Sequence, residues 1–399
     1  MSKEDNGVKT AIWLYLFLFV AFFDLHAQYP ILTPFAISLG AAPSFIGLMM
    51  GMYSITHLPG NLIAGYGVDR FGSRLFIVFS LLAAGIILLF QSHVTNPWQL
   101  LLLRSISGFV LAFLSPACLA LLARLSNNIT EQGKLMAGNG LVHTLASVVS
   151  PAAGAYLVAK IGFTTAFTVL GWLLVVTAVC AVFFISDKRM NVAPLPVKAS
   201  SESGSKKPKT AQQPLGEGTP IPWLVFLLPI ATSCSQGILS FELPLMAKSQ
   251  ASIMTTGLLF SVVSIGALIT LSMLFLNRIS AFQRTLWGAF LLAVIYFCLA
   301  AGVPAPFTMM LLLIGMAKGI ILPALSTLLI ELSGGARYGR TFSILSIAFS
   351  VGAFIGPMAA GQLRDQLSPY FIAFVALMLA VAVLPFYNSR ILASRTYFS

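Results

Sequence analysis

The chain has 399 residues, of which 58% are hydrophobic and only 9% charged, against about 45–50% apolar and about 25% charged in soluble globular domains. This composition excludes a soluble globular protein and places the chain in a lipid bilayer. The net charge of +12 therefore has to be read from where the basic residues fall before any polyanionic partner is invoked.

A membrane-spanning helix needs about 20 mostly apolar residues. Twelve such runs follow one another, at 11–37, 44–68, 75–92, 97–123, 135–159, 163–186, 222–247, 254–276, 284–302, 305–332, 339–361 and 368–389. They do not alternate as the strands of a lipid-facing barrel must, so the expected fold class is all-α integral membrane, with twelve transmembrane helices. The first run is too long for the core of a signal peptide and lacks a small-x-small cleavage site, and is read as a retained helix. With the N-terminus inside, eighteen of the 23 Lys and Arg residues fall on the inner side; Lys160, Lys248 and Arg364 fall outside, and Arg104 and Lys318 within spans. The positive-inside bias thus accounts for the basic charge, with both termini cytoplasmic in a multi-pass protein of the cell membrane, and no nucleic-acid partner is implied.

Residues 187–221 form the one long polar interval, rich in Pro, Ser and Lys. Such a composition buries too little apolar surface to order itself and reads as a flexible cytoplasmic linker. The expected domains are therefore 1–186 and 222–399, each of six helices, joined by 187–221. Landmarks recur between the halves: Pro34 and Pro244, and Gly47 and Gly257, stand 210 residues apart; Gly108 and Gly319 stand 211 apart; Gly133 and Gly339, and Pro151 and Pro357, stand 206 apart. Three matches in order imply duplicated six-helix bundles, a plan in which a transport site lies between repeats near the membrane midplane.

Ionisable groups inside spans cost roughly 2.5–3.5 kcal/mol on an insertion scale and are functional candidates by default. Asp24 lies 13 residues into the first run, about 20 Å deep at 1.5 Å per residue. Arg104 enters the fourth run from the opposite side and lies about 10 Å deep, at the same level. The two are expected to pair directly, protonation of Asp24 breaking the pair; a static structural ion pair is the alternative. Glu242, beside Phe241 and Pro244, is a secondary coupling candidate near the outer surface. Lys318, in mid-run, is placed to meet an anionic or polar group of a substrate, or else to snorkel toward the inner interface.

Polar faces at helical spacing mark a cavity wall or close helix packing. His143 with Ser147 and Ser150, His57 between Ser54 and Asn61, Ser233 with Gln236 and Ser240, and Ser343 with Ser346 and Ser350 form such stripes; His26 is expected to point away from Asp24. From these and the first run, Gln28, His57, His143, Gln236, Lys318 and Ser346 are the candidate cavity residues. Pro151 and Pro357 should bend their helices, and Gly352, Gly356 and Gly361 are expected to permit near contact of the halves. The four cysteines stand singly within spans, as packing residues rather than disulfides or metal ligands. No metal or cofactor is expected. The chain also lacks a P-loop, G-x-S-x-G, H-E-x-x-H and paired CxxC, which leaves neither direct ATP drive nor an enzyme reading with a site.

The stretch GYGVDRFGSR (65–74) fits G-x-x-x-D-R-x-G-x-R at Gly65, Asp69, Arg70, Gly72 and Arg74, in the segment after the second run. It resembles the signature loop of the major facilitator superfamily. FFDLHAQYPILTP (22–34), LLLLRSISGF (100–109) and the proline–glycine pattern of the fifth run resemble its drug:proton antiporter branch. Helix 5, however, has ASVVSPAAGA (146–155), while the fuller glycine pattern, GAFIGPMAAG (352–361), lies in the eleventh run, and the second-half loop LNRISAFQR (276–284) lacks the aspartate and glycine. The resemblance implies two pseudo-symmetric six-helix bundles and a monomer. It also implies proton coupling through Arg104 and a conformational latch in which Asp69 accepts from free N–H groups at the start of the eleventh helix, near Arg340 and Thr341.

Together these readings lead to a secondary active transporter working by alternating access, with a small-molecule substrate, protons and the lipid bilayer as partners, and exporting small, partly apolar compounds. Proton-coupled uptake of an organic anion or metabolite, and movement of a lipid-linked molecule, remain open, as does the different class of a non-transporting membrane sensor or scaffold.

Overall fold

The computed structural model describes residues 3–125, 129–185, 223–245, 250–332 and 338–384; the expected linker, 187–221, lies outside them. Every described element is helical, as lipid demands when each backbone N–H and C=O must be satisfied within the chain. In order they are α1 (Lys3–Ala27), α2 (Tyr29–Ser38), α3 (Pro43–Phe71), α4 (Ser73–Gln91), α5 (Pro97–Leu111), α6 (Leu114–Ala123), α7 (Ile129–Phe184), α8 (Leu227–Leu245), α9 (Gln250–Ser272), α10 (Ala281–Ala300), α11 (Phe307–Leu332), α12 (Tyr338–Leu363) and α13 (Pro369–Val383), with short 3₁₀ turns at Trp223–Phe226 and Leu274–Arg278.

These elements map onto the twelve apolar runs, with three corrections. The first run is two helices, α1 and α2, that meet at Gln28. Pro30 stands at the start of α2, and its missing N–H leaves the carbonyl of His26 without its i+4 donor. The fourth run is likewise α5 and α6. The fifth and sixth runs form one continuous assignment, α7, in which Gly162 at φ 78° and ψ 171° turns the chain back; only glycine takes that conformation without steric cost.

Local chemistry sets the starts. Proline opens α3, α5 and α13, where its missing donor and fixed φ suit the first turn. The Asn96 side chain accepts from the Trp98 N–H at 2.8 Å, capping α5, and the Ser280 hydroxyl accepts from the Gln283 N–H at 3.3 Å, capping α10.

The two halves of the chain touch most extensively along two seams, α3 against α12 and α7 against α9, with α2 also reaching α8 and α9. Backbones come close enough at both to exclude any side chain. A Cβ at Gly47 would lie 2.2 Å from the Pro357 carbonyl oxygen, and one at Gly257 would lie 2.5 Å from that of Pro151. These are the residues whose spacings recur between the halves, Gly47 with Gly257 and Pro151 with Pro357. The same contact is thus made twice, with first and second halves exchanging roles. Gly361 adds an approach to the Pro43 carbonyl oxygen, which a Cβ there would meet at 2.7 Å, and Gly51 one to Phe354, at 2.9 Å. All four lie toward the end of the bundle that carries the 39–42 turn. Gly361 thus stands where the halves meet, as expected, but for Gly352 and Gly356 the expectation is corrected: they pack within the second half, where their missing side chains let α12 approach Ile230 and Cys234 of α8.

Candidate functional site

Gln28 sits at the break between α1 and α2, four residues after Asp24 and so on the same helix face. Its amide nitrogen donates to both Asp24 carboxylate oxygens, at 2.9 Å each. Its amide oxygen accepts from Arg104 Nη1, reaching over from α5, at 2.7 Å. All three side chains are buried, Asp24 and Gln28 at 1% exposure and Arg104 at 4%. The expected direct pair is therefore corrected to a chain of three, in which an amide links the carboxylate to the guanidinium. The Arg104 guanidinium also lies over the Tyr53 ring, 4.5 Å from its centroid, an electrostatic contact that favours a cation away from water. Among the described residues, Arg104 Nε meets no hydrogen-bond acceptor.

This group borders a cavity of about 130 Å³ between the halves. Gln28, Tyr29, Tyr53 and Arg104 line it on one side, and Ser233, Gln236, Ser240 and Pro357 on the other. Asp24 does not line it and meets it only through Gln28. A second cavity, of about 300 Å³, shares Tyr29 and Gln236 with the first and adds His26, His143, Phe260 and Lys318. A third, of about 180 Å³, joins Lys318 and Gln236 to Thr232 and Phe349. Gln236 borders all three and is held on both sides: its amide oxygen accepts from Lys318 Nζ and its amide nitrogen donates to Ser240 at 3.2 Å.

The other candidates divide. Gln28, His143, Gln236 and Lys318 border the cavities, as does the stripe Ser233, Gln236, Ser240. His57 borders none of the three; it faces Asn61, Nδ1 to Nδ2 3.0 Å. Ser346 is half-buried and also borders none of them. His26, expected to point away from the acid, does so, but it points into the second cavity, with its ring 5.2 Å from that of His143. Tyr29, Tyr53 and Phe260 are site residues that the sequence does not single out. Nothing in a 58% apolar chain distinguishes an aromatic ring facing a cavity from one facing a neighbouring helix.

Glu242 is paired: Arg364 Nε stands 3.0 Å from its Oε1, and the guanidinium also reaches Oε2 at 3.4 Å. In the signature stretch, helix α3 continues to Phe71, so Gly65 and Asp69 lie on the helix and not in a loop. Only Gly72, at φ 91°, separates α3 from α4. Arg70 Nη1 donates to the Tyr66 hydroxyl at 3.2 Å. Arg74 donates to the Val182 carbonyl, one of the last four of α7, which have no partner within their own helix. The side chains of Asp69 and of residues 338–340 lie outside those described, and with them the expected latch contact. Among the described residues no group of three or more His, Cys, Asp or Glu side chains converges as a metal site.

Long apolar helices joined at paired seams around buried charges are the frame of a transporter, and the chain's similarities agree. The model of the Major Facilitator Superfamily matches residues 14–313 and 225–394. The chain belongs to this superfamily. Its relatives include the multidrug resistance protein MdtG of Klebsiella pneumoniae (strain 342), 24% identical over 375 residues and covering 90% of this chain and 88% of that protein. The MdtG of Salmonella arizonae is 26% identical over 382 residues, covering 90% of each. Among solved structures, a bacterial homologue of the human lysosomal transporter Spinster, inward-facing and unoccupied, superposes with a TM-score of 0.70 at 16% identity, over 98% of each chain. This superfamily member is accordingly a multi-pass membrane transporter with the twelve-helix facilitator fold, and not an enzyme.

Proposed function

We propose that this superfamily member is a proton-driven exporter of small, partly apolar compounds, working by alternating access in the cell membrane with both termini cytoplasmic, as a monomer of two six-helix domains (1–186 and 222–399) joined by 187–221. The observation that carries the proposal is the chain Asp24–Gln28–Arg104 at the rim of a cavity bordered by both halves. A carboxylate sealed from water is stabilised there by an amide donor and a nearby cation. Protonation removes the charge that orders Gln28, and Gln28 is the residue that presents Arg104 to the cavity. Charge state and cavity shape are thereby coupled in one hydrogen-bonded unit. The relatives named for multidrug resistance support export, and the apolar cavity walls support a partly apolar cargo.

The test is flux in liposomes. Compounds that raise the melting temperature of the purified protein are loaded, a pH gradient is imposed, and a trapped pH dye reports protons as cargo moves. Wild type is expected to couple the two, while Asp24→Asn and Arg104→Gln each lose gradient-driven accumulation. Cargo movement that is the same in all three proteins, with or without a gradient, overturns the reading.

A further inference from the structure

The larger cavity holds a positive charge that no described residue of its wall neutralises. Lys318 borders it from α11, and the partner of its ammonium is the neutral amide oxygen of Gln236. Among the described residues that line this cavity there is no Asp or Glu, and the nearby carboxylate, Asp24, is held by Gln28 outside it. Lys318 is half-buried, and a cation in the wall of a membrane-spanning bundle is costly and is ordinarily matched by an opposite charge. An amide dipole offsets only part of that cost.

The opposite wall carries His143, edge to face with His26 at 5.2 Å between ring centroids and 81°. His26 Nδ1 lies 2.7 Å from the Phe22 carbonyl oxygen and carries its proton there, which leaves His143 as the imidazole whose N–H can turn to a ligand. Between the two walls, Tyr29 and Phe260 come from opposite halves with ring centroids 5.9 Å apart and offer an apolar surface for a flat body. The histidines belong to the first half and Lys318 to the second, so a ligand touching both would tie the halves together.

We infer that the cargo carries an anionic group, received by Lys318 together with His143, with its apolar or aromatic body against Tyr29 and Phe260. This rests on the transport reading in taking the cavity as the place where cargo sits. It adds the sign of the cargo's charge and the residues that read it. A carboxylate arriving here would complete the missing ion pair across the seam, forming charge-assisted bonds of the stronger kind.

The experiment is equilibrium binding to purified protein in detergent, without a gradient, using three probes of one shape: 2-naphthoate, the neutral 2-naphthylmethanol and the cationic 2-naphthylmethylammonium. Wild type is expected to bind the naphthoate about tenfold tighter than the alcohol, and the ammonium weakest. Lys318→Gln is expected to abolish the preference for naphthoate over the alcohol, and Lys318→Arg to restore most of it. His143→Gln should reduce the preference in part. The melting temperature and elution profile of each variant serve as the check on folding; if Lys318→Gln does not fold, the wild-type ranking and His143→Gln decide. Equal affinity for all three probes, no binding of any of them, or an unchanged preference in a folded Lys318→Gln overturns the inference. A protein that accumulates cargo when driven by a pH gradient yet shows no preference for the anion sinks this inference alone and leaves the transport reading standing.

Discussion

Arg104 Nη1 donates to Gln28 Oε1 at 2.7 Å, so an uncharged side chain connects the guanidinium to the carboxylate of Asp24. An amide can do this because it donates at one end and accepts at the other. The arrangement lets a change at Asp24 reach the cavity wall without the acid itself being exposed there. Gln28→Leu removes both contacts at once. The two charges must then either meet directly or stay buried and unpaired, the latter costing about 3–5 kcal/mol. Gradient-driven accumulation is expected to fall about tenfold or more, a barrier change of about 1.4 kcal/mol or above. Exchange of labelled for unlabelled cargo without a gradient should persist, because it needs no net proton movement. Unchanged accumulation in liposomes containing Gln28→Leu would show that the amide is a bystander.

The paired seams lead to a separate forecast. A methyl group at Gly47 or Gly257 has no room beside the carbonyls of Pro357 and Pro151, at 2.2 and 2.5 Å. Overpacking of this kind costs about 1–3 kcal/mol. Gly47→Ala and Gly257→Ala are each expected to lower the melting temperature and to loosen the bundle at the end carrying the 39–42 turn. A cysteine introduced at Ser44, next to the Gly361 approach, should then react faster with a membrane-impermeant maleimide than it does in the parent protein. Equal labelling rates and unchanged melting in both variants would mean that the seams relax without cost.

What a sequence reveals of such a fold and site depends on the kind of signal. Long apolar runs report spans because lipid leaves the backbone no alternative to a helix, and two of the recurring spacings, Gly47 with Gly257 and Pro151 with Pro357, mark residues that touch across the seams, while Gly108 and Gly319 pack within their own halves. Asp24, Arg104 and Lys318 stand out because charge is rare and costly in such runs. Gln28 does not stand out as the intermediary: an amide carries no charge, and depth along a helix axis says nothing about what lies between two side chains. The helical period puts His26 on the side of its helix away from Asp24, but the cavity it faces is formed by helices distant in sequence. His57 and Ser346 share the helical stripes that mark true cavity residues, and a stripe alone does not say whether it faces a cavity or a neighbouring helix.

The signature stretch supports a test of the latch. Asp69 lies in the last turn of α3, where the helix dipole disfavours an anion, and the latch proposed for it would supply a compensating donor. Asp69→Asn is expected to cut transport by about tenfold while membrane insertion and expression stay at wild-type levels. Gly72→Ala, at φ 91°, should instead act on stability, losing about 1–2 kcal/mol through the strained left-handed backbone. Wild-type transport by Asp69→Asn would remove the latch from the mechanism.

Glu242 separates a structural ion pair from a coupling residue. Its partner, Arg364, has a side chain 35% exposed against 8% for the glutamate, so solvent screens the pair and its contribution is about 1 kcal/mol or less. Arg364 directly follows the last residue of α12, and its contacts join Glu242 on α8 to the segment that leads into α13. Such a bond fixes helices within the second half and does not span a seam. Glu242→Gln is therefore expected to lower the melting temperature by a few degrees and to leave the dependence of cargo movement on the pH gradient as it is in wild type. Arg364→Gln should produce the same small shift, and the double variant little more than either alone, since each single change already removes the interaction. Loss of gradient dependence in Glu242→Gln would instead make this glutamate a second proton site, with Arg364 holding it charged between transfers.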